Sequence, residues 1–304
     1  MNNFLQFELW KDCNNKCSFC FNDNRVTSRE SKKERLFFIL NELTNPKYTS
    51  ITKVGFIGGE FFDGQMDDEL FGLFQQVIAK SYLLPNVKQV LVTTSLLFED
   101  LTKVITISNM FNRRNTLLFC TSWDTFGRFH TQESINLWEK NIDILHREVP
   151  TQQIHVEIIP TQRHILDVLN NKFNIQDFSN KFKVSVDYCT PCSGFIYKDK
   201  YDFEKHVPGF FPKRGDFLKF LYKVYSDGQA TADMFTNYNN MSTLLWMSIN
   251  GEYKLIEGYR GPIDGVTVNK DYPLPPMHTD KSDYIDSDAR MRKDVLDVWE
   301  TIYG

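Results

Sequence analysis

The sequence has no apolar run approaching the roughly 20 residues needed to cross a bilayer. Its first residues, Met1-Asn2-Asn3, lack the basic flank and apolar core of a secretion signal. A membrane span is not expected, and a cytoplasmic location is. Positive charge is not in excess either: 35 Lys+Arg stand against 39 Asp+Glu, a net charge of −4. No global field exists to hold a phosphate backbone by counterion release, so nucleic acid is not a favoured partner. Low-complexity segments and repeats of fixed period are also missing. What the chain does have is apolar substance. Hydrophobic residues make up 41% and aromatics 14%, with 26 Phe and 13 Tyr, which excludes a disordered chain. Its 304 residues suffice for one or two packed domains.

Cysteines are few but clustered. Cys13, Cys17 and Cys20 share one short window, Cys189 and Cys192 form a C-x-x-C, and Cys120 stands alone. In a reducing compartment such clusters are more often metal sites or catalytic groups than disulfides. Histidines in paired metal-ligand spacing are absent: His130, His146, His155, His164, His206 and His278 are scattered, which suits surface or satisfied core roles.

Short β-branched or aromatic runs alternate with amphipathic ones. The strand-like runs are Phe4–Trp10, Thr52–Ile57, Lys88–Thr94, Thr116–Trp123, Gln153–Ile159 and Phe182–Cys189. Helical patterns cover Lys32–Leu43, Asp68–Tyr82, Asp100–Phe111, Gln132–His146, Arg163–Asn170 and Arg214–Ser226. In the fourth, Ile135, Trp138, Ile142 and Leu145 recur at the helical period, with Thr131 and Ser134 as capping groups. Six strand–helix units in series predict parallel strands with helical crossovers, forming an open doubly wound sheet or a partial barrel. After about residue 227 the pattern changes. Leu244–Ile249 and Glu252–Ile256 flank Asn250-Gly251 and read as a β-hairpin. A Pro/Gly-rich stretch and a charged helix from about Asp288 to Ile302 follow. Residues 1–226 are thus expected to form an α/β core, and residues 227–304 a C-terminal extension.

The segment Cys13-Asn14-Asn15-Lys16-Cys17-Ser18-Phe19-Cys20 follows the first strand. Structural zinc sites take four protein ligands, whereas three thiolates on a [4Fe–4S] cluster leave one iron open to a small molecule. This C-x₃-C-x₂-C, with an aromatic before the last cysteine, resembles the signature of the radical S-adenosylmethionine (SAM) superfamily. The resemblance implies a partial (β/α)₆ barrel in which Cys13, Cys17 and Cys20 hold the cluster. SAM would chelate the fourth iron and be cleaved reductively to a 5′-deoxyadenosyl radical that abstracts hydrogen from a substrate. An electron donor such as flavodoxin or ferredoxin is implied as a partner.

Gly58-Gly59-Glu60, ending the second strand, resembles the superfamily's GGE motif. Its glycines let backbone approach a ligand, and its carboxylate can pair with the SAM ammonium. Phe61 stands where relatives often have Pro. The fourth strand ends in Ser122-Trp123-Asp124, with Arg128 beyond, and resembles the family's Ser-x-Asp strand end. The likeness implies that Ser122 and Arg128 hold the SAM carboxylate, with Asp124 meeting ribose or substrate. The competing reading makes Asp124 a turn cap and Arg128 a surface charge. Thr94 and Ser95 are weaker candidates for SAM contact, because the Asn-Gly common there in relatives is absent. Glu157 and Thr161 are candidates for adenosine or substrate.

Cys189 and Cys192 admit three readings: ligands of an auxiliary cluster, hydrogen-atom donors to a substrate radical, or an ordinary loop pair. No cysteine follows Cys192, so with Cys120 only three thiols remain, one fewer than a second thiolate-bound cluster needs. The hairpin resembles the strand pair of SPASM or twitch domains, without their cysteines. It is then a cover or substrate platform to which Trp246, Tyr253 and Tyr259 contribute, or those aromatics are plain packing. The substrate class expected first is a peptide or protein. Radical chemistry on a nucleotide or nucleobase is the alternative, since Cys17–Asn22 with Thr27-Ser28 resembles viperin-like enzymes. A small-molecule substrate fits either. A non-catalytic metal-binding protein accounts for the thiols but not for Gly58-Gly59-Glu60 or Ser122.

Overall fold

Phe4–Glu8 forms β1, and the chain then alternates helix and strand. In order come α1 (Arg29–Glu42), a 3₁₀ turn (Pro46–Tyr48), β2 (Lys53–Ile57), α2 (Asp68–Ser81), β3 (Gln89–Thr93), α3 (Thr102–Phe111), β4 (Leu117–Trp123) and α4 (Gln132–Glu148). They are followed by β5 (Gln153–Ile158), α5 (Gln162–Leu169), α6 (Ile175–Phe182), β6 (Ser185–Tyr188), α7 (Arg214–Ser226), β7 (Thr243–Ile249) and β8 (Glu252–Tyr259). This computed structural model describes residues 4–15, 17, 26–111, 117–125, 127–188, 213–226, 243–249 and 252–259. Cys20, Cys189, Cys192, the Asn250-Gly251 turn and the charged helix expected near Asp288–Ile302 lie outside the described residues.

The strands form one sheet in the order β6-β5-β4-β3-β2-β1-β7-β8, parallel throughout except for β8. All seven parallel strands therefore end on one rim. Alternate residues face the helices and build the core. Val54 and Phe56, Val90 and Val92, Phe119, Ile154 and Val156 are buried against Leu36, Ile39, Phe74, Val77, Ile107, Trp138, Ile142 and Ile165. Aromatic edges lock strand to helix, with Phe56 to Phe74 at 5.4 Å and Trp123 to Trp138 at 4.9 Å between ring centroids. The cap expected for α4 is present: Thr131 accepts from the Ser134 N–H, and Ser134 Oγ accepts from the Thr131 N–H.

Two elements differ from the sequence expectation. The run beginning at Phe182 is not all strand. Asn174 caps a separate helix, α6, whose Ile175, Phe178 and Phe182 share one buried face. Lys183 then takes φ 53°, a left-handed residue that ends the helix and starts the chain toward β6. The hairpin is joined to the sheet at its β1 edge. Phe4 to Phe7 pair in parallel with Thr243 to Trp246, and β8 lies antiparallel on β7. Trp246 and Tyr253 pack on the helical side, with Phe38 of α1 at 4.8 and 5.0 Å from their rings. Trp246 Nε1 donates to Tyr48 Oη at 3.0 Å, and Tyr253 Oη donates to the Glu8 carbonyl at 2.9 Å. Both aromatics are packing residues on the outer side of the sheet.

Candidate active site

The rim is built by loops that continue the strand pairing. Past the end of β1 and β2, the Leu9 N–H donates to the Ile57 carbonyl at 2.9 Å. The Gly59 N–H donates to Trp10 at 2.7 Å and the Glu60 N–H to Asp12 at 3.0 Å. Glycine is required by this closeness. Gly58 has φ 143°, and a Cβ there would lie 2.3 Å from the Trp10 carbonyl oxygen. At Gly59 a Cβ would lie 1.9 Å from the Asp12 oxygen. The close approach that these glycines permit is thus made to the backbone leading into Cys13.

Cys13 is half-buried at this junction, and Cys17 is buried with 9% of its surface exposed. Burial is the largest influence on the Cys13 thiol and pushes its pKa up, as do the nearby Glu60 carboxylate and Cys17. The N–H groups of Asn15 and Glu60 hydrogen-bond to the same thiol and pull the other way. Among the described residues no group of three His, Cys, Asp or Glu side chains is arranged to hold a metal ion, and the third cysteine, Cys20, lies outside them. The two thiols that are described fit a thiolate-bound cluster. They sit together on the rim, close enough for Cys17 to act on the Cys13 thiol, and thiols are the donors such a cluster takes.

Glu60 is fully enclosed, with 2% exposure. Its Oε2 accepts from Ser95 N at 2.5 Å, Ser95 Oγ at 2.6 Å and Thr94 Oγ1 at 2.9 Å. Its Oε1 accepts from Thr94 Oγ1 at 3.1 Å and Phe62 N at 3.2 Å. Burial raises its pKa against the pull of these bonds. Ser95 Oγ in turn accepts from Asn15 Nδ2 at 2.9 Å, which carries the network into the cysteine loop. Thr94 and Ser95, expected as weak SAM contacts, here serve as partners of Glu60.

A second brace was not apparent from the sequence. Asp12 Oδ1 lies 3.1 Å from Lys32 Nζ, both side chains under 10% exposed, and the carboxylate also accepts from the Thr27 N–H at 3.0 Å. Lys32 lies over the Trp10 ring, 5.3 Å from its centroid. Asp12 precedes the three cysteines and Thr27 follows them, so one buried ion pair joins both feet of the loop. Only a charged residue in the first turn of the helix after the cysteines could have hinted at this.

At the end of β4, Asp124 is buried and its carboxylate accepts from the Gly127 N–H at 2.5 Å, which is the turn-cap arrangement. Arg128 turns back so that a guanidinium N–H reaches the Ser122 carbonyl at 3.4 Å. Thr161 is buried at the N-cap of α5, where its hydroxyl accepts from the His164 N–H at 3.3 Å. Phe119, Thr121 and Trp123 face the helices, so Cys120 and Ser122 face the opposite, inner side. On that side Ser122, Glu157 and Asp187 lie in one row of register, with Cys120, His155 and Ser185 in the next. His155 Nε2 is 3.6 Å from Asp187 Oδ2. Burial and the adjacent Glu157 hold the Asp187 carboxyl above its usual range, against the lowering influence of His155. Cys120 is buried, and burial with the Glu157 charge raises its pKa strongly, which leaves it a poor nucleophile.

No family model and no curated protein matches the sequence. Solved structures do match. Over 80% of this chain, the protein anSMEcpe with bound AdoMet and the Cp18Cys peptide superposes with a TM-score of 0.52 at 15% identity, covering 63% of that chain. SuiB of Streptococcus suis bound to S-adenosylmethionine gives 0.50 at 11% identity, covering 98% of this chain and 70% of that one. HydG, a maturase of the [FeFe]-hydrogenase, gives 0.51 at 10% identity, with 99% and 79% covered. The fold is a partial radical SAM barrel. This chain spans 63% of the length of anSMEcpe and 49% of another SuiB structure. On the radical SAM barrel, the six parallel strands β1 to β6 and their helices are the (β/α) units, and the rim just described is their C-terminal end.

Proposed function

We propose that this protein is a radical SAM enzyme acting on a peptide or protein. The observation that carries the reading is the placement of Cys13 and Cys17 just beyond the C-terminal end of β1, where Gly58 and Gly59 bring the loop after β2 onto the backbone leading into Cys13. Cys13, Cys17 and Cys20 would hold a [4Fe–4S] cluster. When bound, the cluster supplies the electron that cleaves SAM to a 5′-deoxyadenosyl radical for hydrogen abstraction.

The chain's own residues bind and orient. Arg128, whose guanidinium reaches the Ser122 carbonyl at the end of β4, would pair with the SAM carboxylate, a task its planar fork suits. Ser122 and Glu157 lie side by side in register on the inner face, where they can meet hydroxyl and ammonium groups of SAM. Asp124 and Thr161 spend their oxygens on a turn and a helix cap and so shape the rim. Burial of Trp10, Phe61 and Phe62 beneath it keeps water from the loop bases. A peptide substrate is supported by anSMEcpe, whose structure holds AdoMet and a peptide on the same fold. The electron donor would be a flavodoxin- or ferredoxin-type protein.

The test is cluster content of anaerobically reconstituted protein. Wild type is expected to hold about four irons per chain with broad absorption near roughly 400 nm. Cys17→Ala is expected to lose both. Iron retained at the wild-type level in Cys17→Ala would overturn the ligand assignment, and stoichiometric zinc without iron would overturn the reading as a whole.

A further inference from the structure

We infer that Glu60 is a positioning residue for the cysteine loop, a tie bolt inside the protein with its carboxylate turned away from any ligand. Both oxygens are taken. The Ser95 N–H, the Ser95 and Thr94 hydroxyls and the Phe62 N–H all donate to a carboxylate that is 2% exposed. An ammonium group entering here would have to displace those donors and open a packed wall containing Phe61, Phe62 and Leu96, each at most 5% exposed. The connections run outward from the carboxylate to the loop. Ser95 Oγ receives Asn15 Nδ2, and the Glu60 backbone N–H donates to the carbonyl of Asp12, the residue before Cys13. Asn14 adds a parallel link, its amide donating to Asp63 Oδ2 at 2.8 Å.

One residue thus fixes three segments: the ends of β2 and β3, and the first turn of the cysteine loop. Glu suits the position because a carboxylate offers only acceptors and every neighbour is a donor. Glutamine of the same shape would set an amide –NH₂ against the Ser95 N–H or the Thr94 and Phe62 donors.

The experiment uses metal-free, reduced full-length protein, so it does not depend on the reading of the cluster. Alkylation of Cys13 by iodoacetamide is followed peptide by peptide, beside the thermal midpoint. Glu60→Gln is expected to lower the midpoint and speed Cys13 labelling by about ten-fold, the scale of one lost hydrogen bond to a charged group. Asn15→Ala cuts the network at its loop end and is expected to speed Cys13 labelling several-fold while leaving the midpoint close to wild type. Ser95→Ala removes both the link to Asn15 and a hydroxyl donor to Glu60, and is expected to speed labelling and lower the midpoint; both variants serve even where Glu60→Gln fails to fold. Wild-type labelling rates in Asn15→Ala and Ser95→Ala would overturn the inference. So would a Glu60→Gln protein with unchanged midpoint and labelling whose only defect, after reconstitution, is weaker SAM binding. A protein that holds no iron at all would defeat the proposed function and leave the labelling result intact.

Discussion

Two buried polar features set the conditions under which the fold survives. Lys32 and Asp12 form an ion pair in which each side chain is under 10% exposed. Removing one partner strands the other charge, which costs about 3–5 kcal/mol in such sites. Lys32→Met is expected to fall in this range by urea denaturation, and Asp12→Asn with Lys32→Met together to recover most of it, since Asn still accepts from Thr27. His164 is the other. It sits among the rings of Phe173, Tyr188 and Phe220, its Nε2 has no hydrogen-bond partner, and burial alone pushes its pKa down to about 3. The folded state therefore binds fewer protons than the unfolded one between pH 6.5 and 3. Its contribution to stability is complete above pH 6.5 and falls with acidification by up to about 1.4 kcal/mol per pH unit. His164→Leu is expected to flatten the acid limb of the stability profile between pH 6 and 4. An unchanged profile would remove His164 as its cause.

Among the elements, the β7–β8 hairpin has a role that its sequence did not disclose. It lengthens the sheet at β1, and its aromatics brace the strand that delivers the cysteines: Tyr253 holds the Glu8 carbonyl, and Arg35, stacked on Tyr253, donates to the Leu9 carbonyl at 2.5 Å. Trp246→Ala is expected to cost about 3 kcal/mol and to speed hydrogen exchange over Phe4–Glu8 more than over β4 or β5. Equal exchange in all strands would mean that the hairpin stabilises only globally. The Asn250-Gly251 signal announced a hairpin because turn chemistry is local, but its docking on β1 depends on a pairing between residues 4–7 and 243–246, which no local pattern encodes. The same limit hid α6. Its Ile175, Phe178 and Phe182 have helical spacing, yet Phe182 also reads as the start of a strand, and only the left-handed Lys183 separates the two.

For the molecule as a whole, the alternation of strands and helices was legible because each period reports one buried face, and the six parallel units follow. The cysteine spacing was legible as a motif, and the proposed ligation to one cluster would account for it. The role of Gly58, Gly59 and Glu60 was legible only as a motif. Their contacts with Trp10, Asp12, Thr94 and Ser95 arise from the register of β1, β2 and β3, which sets loops side by side that are far apart in sequence. The structure shows a partial barrel of the fold shared with anSMEcpe and HydG, whose rim carries two thiols, and the proposed chemistry rests on that rim. The most direct measurement is anaerobic reconstitution with iron, sulfide, SAM and a strong reductant, followed by quantification of 5′-deoxyadenosine and methionine. The account predicts both products in equal amounts from wild type and none from Cys17→Ala. A cluster-replete wild type that releases neither, with reductant and candidate peptides present, would contradict it.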